Sequence, residues 1–325
     1  MTKVNNNYNN TLHKDSSITL DKLELTSELF FSKSHESLYR SAIAKYKTQQ
    51  KVKALFQVSK DSNYWKAWHC NETLIQEGKR LKGSLCRKRW CQHCNRIKTA
   101  EMINGYQSPL KDLASKDQLY LVTLTAPTVK ARQLASEISK RYKMFVKVKD
   151  RLRKRGIVLN GIRKLEVTHN IDEKTFHPHF HFVVQGQHEA EQLLNEWLSE
   201  YPTAKRVGQD ISPIETTSKD LMEVFKYSVK DVIKDTLSAS ASHTIYKALK
   251  GRRVFQTFGE IRKVKPPKEK KHSNREVDFL GERYEIWGYE HSLKDFTTAY
   301  GEKMLHTLDI EAKENELKYK LNGIY

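Results

Sequence analysis

Three histidines fall within five positions of the segment FHPHFHFVVQG, residues 176–186. Successive side chains of a β-strand point to opposite faces, so a strand here places His179 and His181 on one face and the neighbouring phenylalanines on the other. The two imidazoles are then about 7 Å apart along the strand, close enough to bind one metal ion. The alternative interpretation of this His-x-His pair is a polar strand face that binds no metal.

A third ligand is available from the segment just before these histidines. Residues 161–170, GIRKLEVTHN, predict a strand, and the following IDEKT predicts a hairpin turn. The hairpin sets either Glu166 or His169 beside His179 and His181, and the sequence leaves that choice open. Two imidazoles and a carboxylate suit a catalytic Mn²⁺ or Mg²⁺ ion, with positions left for phosphate oxygens and water.

A later amphipathic helix, predicted for residues 218–235, carries a candidate nucleophile. Its polar stripe includes Glu223, Tyr227 and Lys230 at helical spacing. Its apolar stripe consists of Leu221, Val224, Phe225, Val232 and Ile233. A tyrosine that packs in the core is expected on the apolar side of a helix. Tyr227 lies on the polar stripe instead, which favours a role in catalysis. A phenol with a pKa of about 10 is a weak nucleophile, and Lys230 can favour its phenolate form.

Cysteines indicate a second metal site. The four in the chain, spaced Cys-x15-Cys-x4-Cys-x2-Cys, are Cys70, Cys86, Cys91 and Cys94. The last two form a Cys-x2-Cys knuckle, and the first two complete a tetrahedral set for structural Zn²⁺. His69 and His93 are possible substitutes, and free structural thiols are the alternative.

The charge of the chain favours a polyanionic partner. Lys and Arg number 58 against 39 Asp and Glu, a net charge of +19, and the basic residues cluster at 79–100, 140–155 and 262–275. These features favour nucleic acid over a membrane surface. The N-terminus lacks the apolar core of a signal peptide, and no stretch is apolar over the length that spans a bilayer. We therefore expect a soluble, cytoplasmic protein with reduced cysteines.

The predicted elements follow the order β-α-β-β-α-β-α. They cover residues 118–127, 129–156, 161–170, 176–186, 188–201, 204–215 and 218–235. Adjacent strands separated by helices predict an α+β fold, an antiparallel-rich sheet with helices on one face. A small zinc-type module built on the four cysteines precedes it.

Three ordered motifs, YLVTLTAP, LEVTHN…HPHFHFVV and EVFKYSVK, resemble the HUH-endonuclease replication initiators of rolling-circle plasmids, the Gram-positive plasmid replication protein type 1 family. The resemblance spans about residues 65–260 and includes GSLCRKRWCQHCN and ALKGRRVFQTFGEIR. His169 departs from the family pattern. The resemblance implies a ferredoxin/RRM-like HUH palm for the sheet.

The composition of the chain and the extent of the resemblance predict a domain organisation. The predicted units are a variable, partly disordered region at 1–60, a basic Cys-rich module at 61–110, a nicking-joining domain at 111–260, and a linker with a C-terminal accessory region at 261–325.

The resemblance implies a metal-dependent enzyme that nicks one strand at a plasmid double-strand origin. Tyr227 would form a 5′-phosphotyrosine and free a 3′-OH primer, Lys230 would assist, and Glu223 would act as general base at termination. Expected partners are origin DNA, single-stranded at the nick, and host helicase and polymerase. The alternatives are a conjugative relaxase or transposase of the same superfamily, or a non-catalytic zinc-containing DNA-binding regulator.

Overall fold

A computed structural model of the chain describes residues 35–77, 80–216, 224–225, 236–262 and 284–298. In these residues the helices are α1 (His35–Ser59), α2 (Gln92–Ala114), α3 (Leu134–Lys154), α4 (Gln187–Glu200) and α5 (Thr236–Ala248). The strands are β1 (Thr73–Glu77), β2 (Arg80–Gly83), β3 (Leu119–Leu124), β4 (Gly161–Asn170), β5 (Thr175–Gln185), β6 (Asp210–Ile214), β7 (Phe255–Phe258), β8 (Tyr284–Glu290) and β9 (Asp295–Thr298). No helix in the described ranges has the length and apolar character to cross a membrane.

The larger sheet contains five antiparallel strands in the order β6-β3-β5-β4-β7. Its centre is the β4–β5 hairpin, which the sequence predicted. The turn is fixed by Asn170, whose Oδ1 accepts hydrogen bonds from the backbone N–H groups of Asp172 and Glu173 at 3.0 and 3.1 Å. Lys174 completes the turn at φ 53°. This short turn sets the register that brings the metal-ligand candidates together.

One surface of this sheet, called here the aromatic face, carries Phe180 and Phe182. Helices α3 and α4 cover it with residues that recur at helical spacing in the sequence. The buried members on α3 are Leu134, Ile138, Phe145, Val148 and Leu152. On α4, Trp197 is fully buried, and its indole N–H donates to the Thr125 carbonyl at 2.8 Å. The predicted packing of these two helices on the sheet is therefore confirmed.

The opposite surface, called here the histidine face, carries His179 and His181 and is partly covered as well. Its apolar end buries Ile162 and Val183 against α2. The α2 residues in that cluster are Ile103, Leu110 and Leu113. The prediction of helices on one face was therefore wrong for α2. The predicted elements of the sheet begin at residue 118, and most of the α2 segment was predicted to belong to the preceding Cys-rich module.

The smaller sheet joins distant parts of the chain in the order β2-β1-β8-β9. Strand β1 pairs antiparallel with β2 and with β8, with Leu74 opposite Trp287. Its hydrophobic cluster includes Leu74, Tyr289 and Phe296. Residues 284–298, from the stretch predicted as a C-terminal accessory region, thus complete a sheet that begins beside the cysteines.

Candidate functional site

Glu166, His179 and His181 converge on the histidine face. Glu166 pairs with His179 across the β4–β5 ladder, and its Oε2 is 3.5 Å from Nε2 of His181. One ligand atom from each of the three residues lies within 4.8 Å of the others. His169 instead shares the aromatic face with Val167, and its ring packs on Phe176 with centroids 4.7 Å apart. Of the two candidates for the third ligand, the structure brings only Glu166 to the histidines.

Both histidine rings are oriented by hydrogen bonds at Nδ1. His179 Nδ1–H donates to the His177 backbone carbonyl at 3.0 Å, and His181 Nδ1 is 3.1 Å from the Thr123 hydroxyl on β3. These contacts orient the two rings, and at His179 the carbonyl partner fixes the tautomer and leaves Nε2 for a metal. Sequence reasoning missed Thr123, although strand alternation in YLVTLTAP and pairing of β3 with β5 would have placed it beside His181.

The electrostatics of the site keep its carboxylate ionised and one imidazole neutral. Glu166 and Lys164 are both almost fully buried, with Lys164 Nζ 3.5 Å from Glu166 Oε2. Burial raises the pKa of Glu166, but the hydrogen bond from His181 and the charge of Lys164 outweigh it and lower the pKa to about 2. Burial lowers the pKa of His179 to about 4. The site therefore presents an ionised carboxylate and a neutral imidazole, the forms that bind metal.

The donor set fits a divalent ion with open coordination positions. Two imidazole nitrogens and one carboxylate occupy three of the six positions around an octahedral ion. The other three positions are left open, as a site that admits phosphate oxygens requires. The His181 side chain is 23% exposed, so the site can be reached from solvent. These residues could hold Mn²⁺ or Mg²⁺, as expected from the sequence, and the geometry does not choose between the two.

The predicted tyrosine helix is described only at Val224 and Phe225; Glu223, Tyr227 and Lys230 lie outside the described residues. Both described residues are helical and buried, as the predicted apolar stripe requires. The Phe225 ring packs on Tyr106 of α2 and Phe255 of β7 with centroid distances of 5.9 and 5.3 Å. Their cluster includes Ile162 and Val183. Val224 and Phe225 therefore pack on the face that carries the metal-ligand candidates.

The four cysteines also converge, as predicted. The Cys94 sulfur lies 3.4 Å from that of Cys70 and 3.7 Å from that of Cys86. All four sulfurs lie within 4.8 Å of one another. Zn–S bonds of about 2.3 Å place the sulfurs of a tetrahedral site roughly 3.8 Å apart. All four are free thiols rather than disulfides. The group could hold one zinc ion.

Backbone donors surround these sulfurs as they do in a thiolate metal site. The N–H of Arg87 points to the Cys94 sulfur at 3.2 Å, and the N–H of Cys86 to the Cys70 sulfur at 3.4 Å. Cys91 caps the N-terminus of α2, accepting from the Cys94 N–H, where the helix dipole favours negative charge. Hydrogen bonds from Cys70 and the other two thiols lower the pKa of Cys91. Donors of this kind stabilise the thiolates that zinc binds.

Comparison with known proteins finds similarity to replication proteins. Residues 77–197 match the family model Rep_1, described as a replication protein. The chain is 25% identical over 184 residues to a protein described as Protein rep from Staphylococcus aureus, covering 53% of this chain and 80% of the relative. It is 27% identical over 201 residues to Protein rep from Streptococcus pneumoniae, covering 55% and 62%.

A further relative, Protein rep from Bacillus amyloliquefaciens, is 30% identical over 138 residues, which cover 34% of this chain and 40% of the relative. This chain thus spans less than two thirds of the length of the Streptococcus and Bacillus relatives. No solved structure matches the chain significantly. The match at 77–197 includes Glu166, both histidines and three of the four cysteines.

Proposed function

We propose that this member of the replication protein family initiates plasmid rolling-circle replication by nicking one strand of the plasmid double-strand origin. The observation that carries the proposal is the convergence of Glu166, His179 and His181 on one sheet face. That face also anchors Val224 and Phe225, and Tyr227 follows two residues later in the sequence. In the sequence, the candidate nucleophile thus closely follows two residues that pack on the face of the metal-ligand set.

In the proposed reaction the Tyr227 phenolic oxygen bonds to the phosphorus of the scissile phosphodiester. The bond from phosphorus to the 3′-oxygen breaks, the phenol loses its proton, and the leaving oxygen gains one. The products are a 5′-phosphotyrosine and a 3′-OH that can prime synthesis. A divalent cation bound at the three ligands would polarise the phosphate and offset its developing negative charge. Lys230 favours the phenolate.

Glu223 has the proposed role of general base at termination. Tyr227 is already joined to DNA when the regenerated origin must be cut again. A carboxylate one helical turn before Tyr227 can take a proton from water and make the second cut hydrolytic. The new 3′-OH then attacks the phosphotyrosine, which restores a phosphodiester and releases the tyrosine.

DNA binding follows from the net charge of +19, because neutralised phosphates release counterions and stabilise the complex. The origin would be recognised as duplex and cut where it is single-stranded. A host polymerase would extend the 3′-OH, and a host helicase would unwind the displaced strand. Both steps would take place in the cytoplasm.

The decisive experiment is mass spectrometry of the protein after incubation with single-stranded origin DNA and Mn²⁺. We expect an added mass equal to the 5′-phosphorylated cleavage product, absent in Tyr227→Phe and present in the control Tyr120→Phe. Tyr120 lies on β3, and its hydroxyl donates to Gln187. An unmodified wild-type protein that still binds the origin would indicate the non-catalytic regulator. An adduct in Tyr227→Phe would assign the nucleophile elsewhere.

A further inference from the structure

A basic pocket lies on the aromatic face, on the opposite side of the sheet from the metal-ligand candidates. Its volume is about 310 Å³, and it opens between α3, β4 and the segment leading into β7. We define it by Tyr142, Phe145, Lys149, Arg163, Arg252 and Phe258. The volume is near the lower end of the range for small-ligand sites. The proposed nicking reaction makes no use of it.

Arg163 is the unusual member of the basic pocket. The residue is 4% exposed, and its Nη2 donates to Gln256 Oε1 at 2.8 Å. Its Nε–H, also buried, has no hydrogen-bond partner, and no carboxylate pairs with it in the part of the chain that the structure describes. Burial lowers the pKa of Arg163 to about 10, so the group is still a cation at neutral pH. A buried charge of this kind is costly unless an anion compensates it.

Further positive charge surrounds the opening. Lys149, Arg252 and Arg253 line the pocket beside Arg163, and none of the described acidic residues does. Arg252 is held in place because its Nη2 donates to the Ala135 carbonyl and to the Ser139 hydroxyl at 2.9 and 2.7 Å. The pocket therefore offers an anion a fixed cationic wall and an unpaired buried donor.

Aromatic rings supply part of the lining. The Arg163 guanidinium lies 4.3 Å from the Tyr142 ring centroid and 5.3 Å from that of Phe145. The Tyr142 hydroxyl donates to the Arg253 carbonyl at 2.9 Å, which fixes the ring. An arginine beside aromatic rings suits a phosphate joined to a flat base, because guanidinium binds phosphate through paired N–H groups and rings stack on bases.

We propose that the basic pocket binds a nucleotide, with the phosphate on Arg163 and Lys149 and the base beside the half-buried Tyr142 ring. The nucleotide belongs either to a DNA strand or to a free nucleoside phosphate; the recognition chemistry is the same. Because the pocket and the metal-ligand candidates lie on opposite faces, this binding does not depend on Tyr227 or on nicking. It can be measured in the Tyr227→Phe variant, so its failure is distinct from failure of the proposed function.

The test uses the full chain with Tyr227→Phe, in a buffer without added Mn²⁺ or Mg²⁺, and two probes, a labelled single-stranded oligonucleotide and AMP. The pocket variant is Lys149→Glu, and the matched control is Lys143→Glu, the same charge reversal at an exposed α3 residue that does not line the pocket. We expect Lys149→Glu to weaken binding of the responding probe by at least about tenfold, and Lys143→Glu to weaken it only by the smaller general charge effect.

The response of the probes identifies the source of the nucleotide. Binding of the oligonucleotide alone assigns the pocket to a DNA strand, and saturable binding of AMP assigns it to free nucleotides. In either case the Arg163 Nε–H resonance should shift in NMR spectra when the probe is added. Equal effects of the two charge reversals, together with an unchanged Arg163 resonance, would overturn the proposal and leave Arg163 as a packing residue only.

Discussion

Glu166 lies directly opposite His179 in the β4–β5 ladder. The candidate metal site is therefore a product of strand register, because a slip of one residue would move Glu166 to the aromatic face and bring Leu165 or Val167 opposite the histidine. The four-residue turn at 171–174 fixes that register and, through it, the ligand set.

The choice of third ligand can be checked with a matched pair of variants. Glu166→Gln keeps the shape of the side chain but removes the anionic oxygen, so we expect Mn²⁺ affinity to fall by at least about tenfold. His169→Ala should leave the affinity unchanged, because that ring packs on Phe176. Titration calorimetry with Mn²⁺ measures both. A larger loss in His169→Ala than in Glu166→Gln would reverse the assignment.

Thr123 is expected to act on the metal only through His181. Thr123→Val removes the hydroxyl that contacts His181 Nδ1, and loss of such a partner lowers metal affinity by roughly 10- to 100-fold. The control is Thr125→Val, since the Thr125 hydroxyl donates to the Gly208 carbonyl instead. Equal Mn²⁺ affinities in the two variants would show that the hydroxyl does not orient the ring.

Gly161 tests the packing of the hairpin. A Cβ at this position would lie 1.9 Å from the Val183 carbonyl oxygen, so Gly161→Ala should lower the free energy of unfolding by on the order of 1–3 kcal/mol. Gly288→Ala is the control, because its Cβ meets no atom within 4 Å. Urea denaturation compares them. Comparable stabilities would mean that β4 and β5 do not approach as closely as described.

The cysteine cluster is expected to contain zinc. Replacing Cys91 and Cys94 together by serine removes half of the predicted ligands, so the variant should lose about one zinc ion per chain and melt at a lower temperature. Metal analysis and thermal denaturation measure the two effects. Wild-type protein without zinc, when prepared without chelators, would instead indicate free structural thiols.

Glu223 is predicted to matter only at termination. Glu223→Ala should still nick and attach to the origin, but it should accumulate replication products longer than one plasmid unit because the second cut lacks its base. Gel analysis of plasmid replication products distinguishes the two stages. Unit-length circles formed at the wild-type rate would show that Glu223 is an ordinary helix-surface carboxylate.

Much of the larger sheet could be predicted from local patterns. Strand alternation located β3, β4 and β5, and helical spacing located α3 and α4 within a few residues. The convergence of His179 and His181 followed from the two-residue period of a strand. The choice of Glu166 over His169 did not follow from that period, because it depends on the register of β4 against β5. The hydrogen bonds of the turn decide this register.

Other features depend on contacts that the sequence does not display. Lys164 shares a strand face with Glu166, yet only the folded structure shows that it is buried beside it. The alternation in YEIWGYE, residues 284–290, was a usable signal for β8. Its pairing with β1 was not predictable, because no local pattern selects a partner so distant along the chain.

The pairing of Leu74 with Trp287 also means that β1 gains its second partner strand late in synthesis. The ribosome releases the cysteine segment and the larger sheet long before β8, so until then β1 has β2 on one side and an open edge on the other. Open edges pair readily with other chains, and closing so long a loop is slow. A nascent chain is therefore most exposed to aggregation in the interval between emergence of β1 and arrival of the C-terminal hairpin.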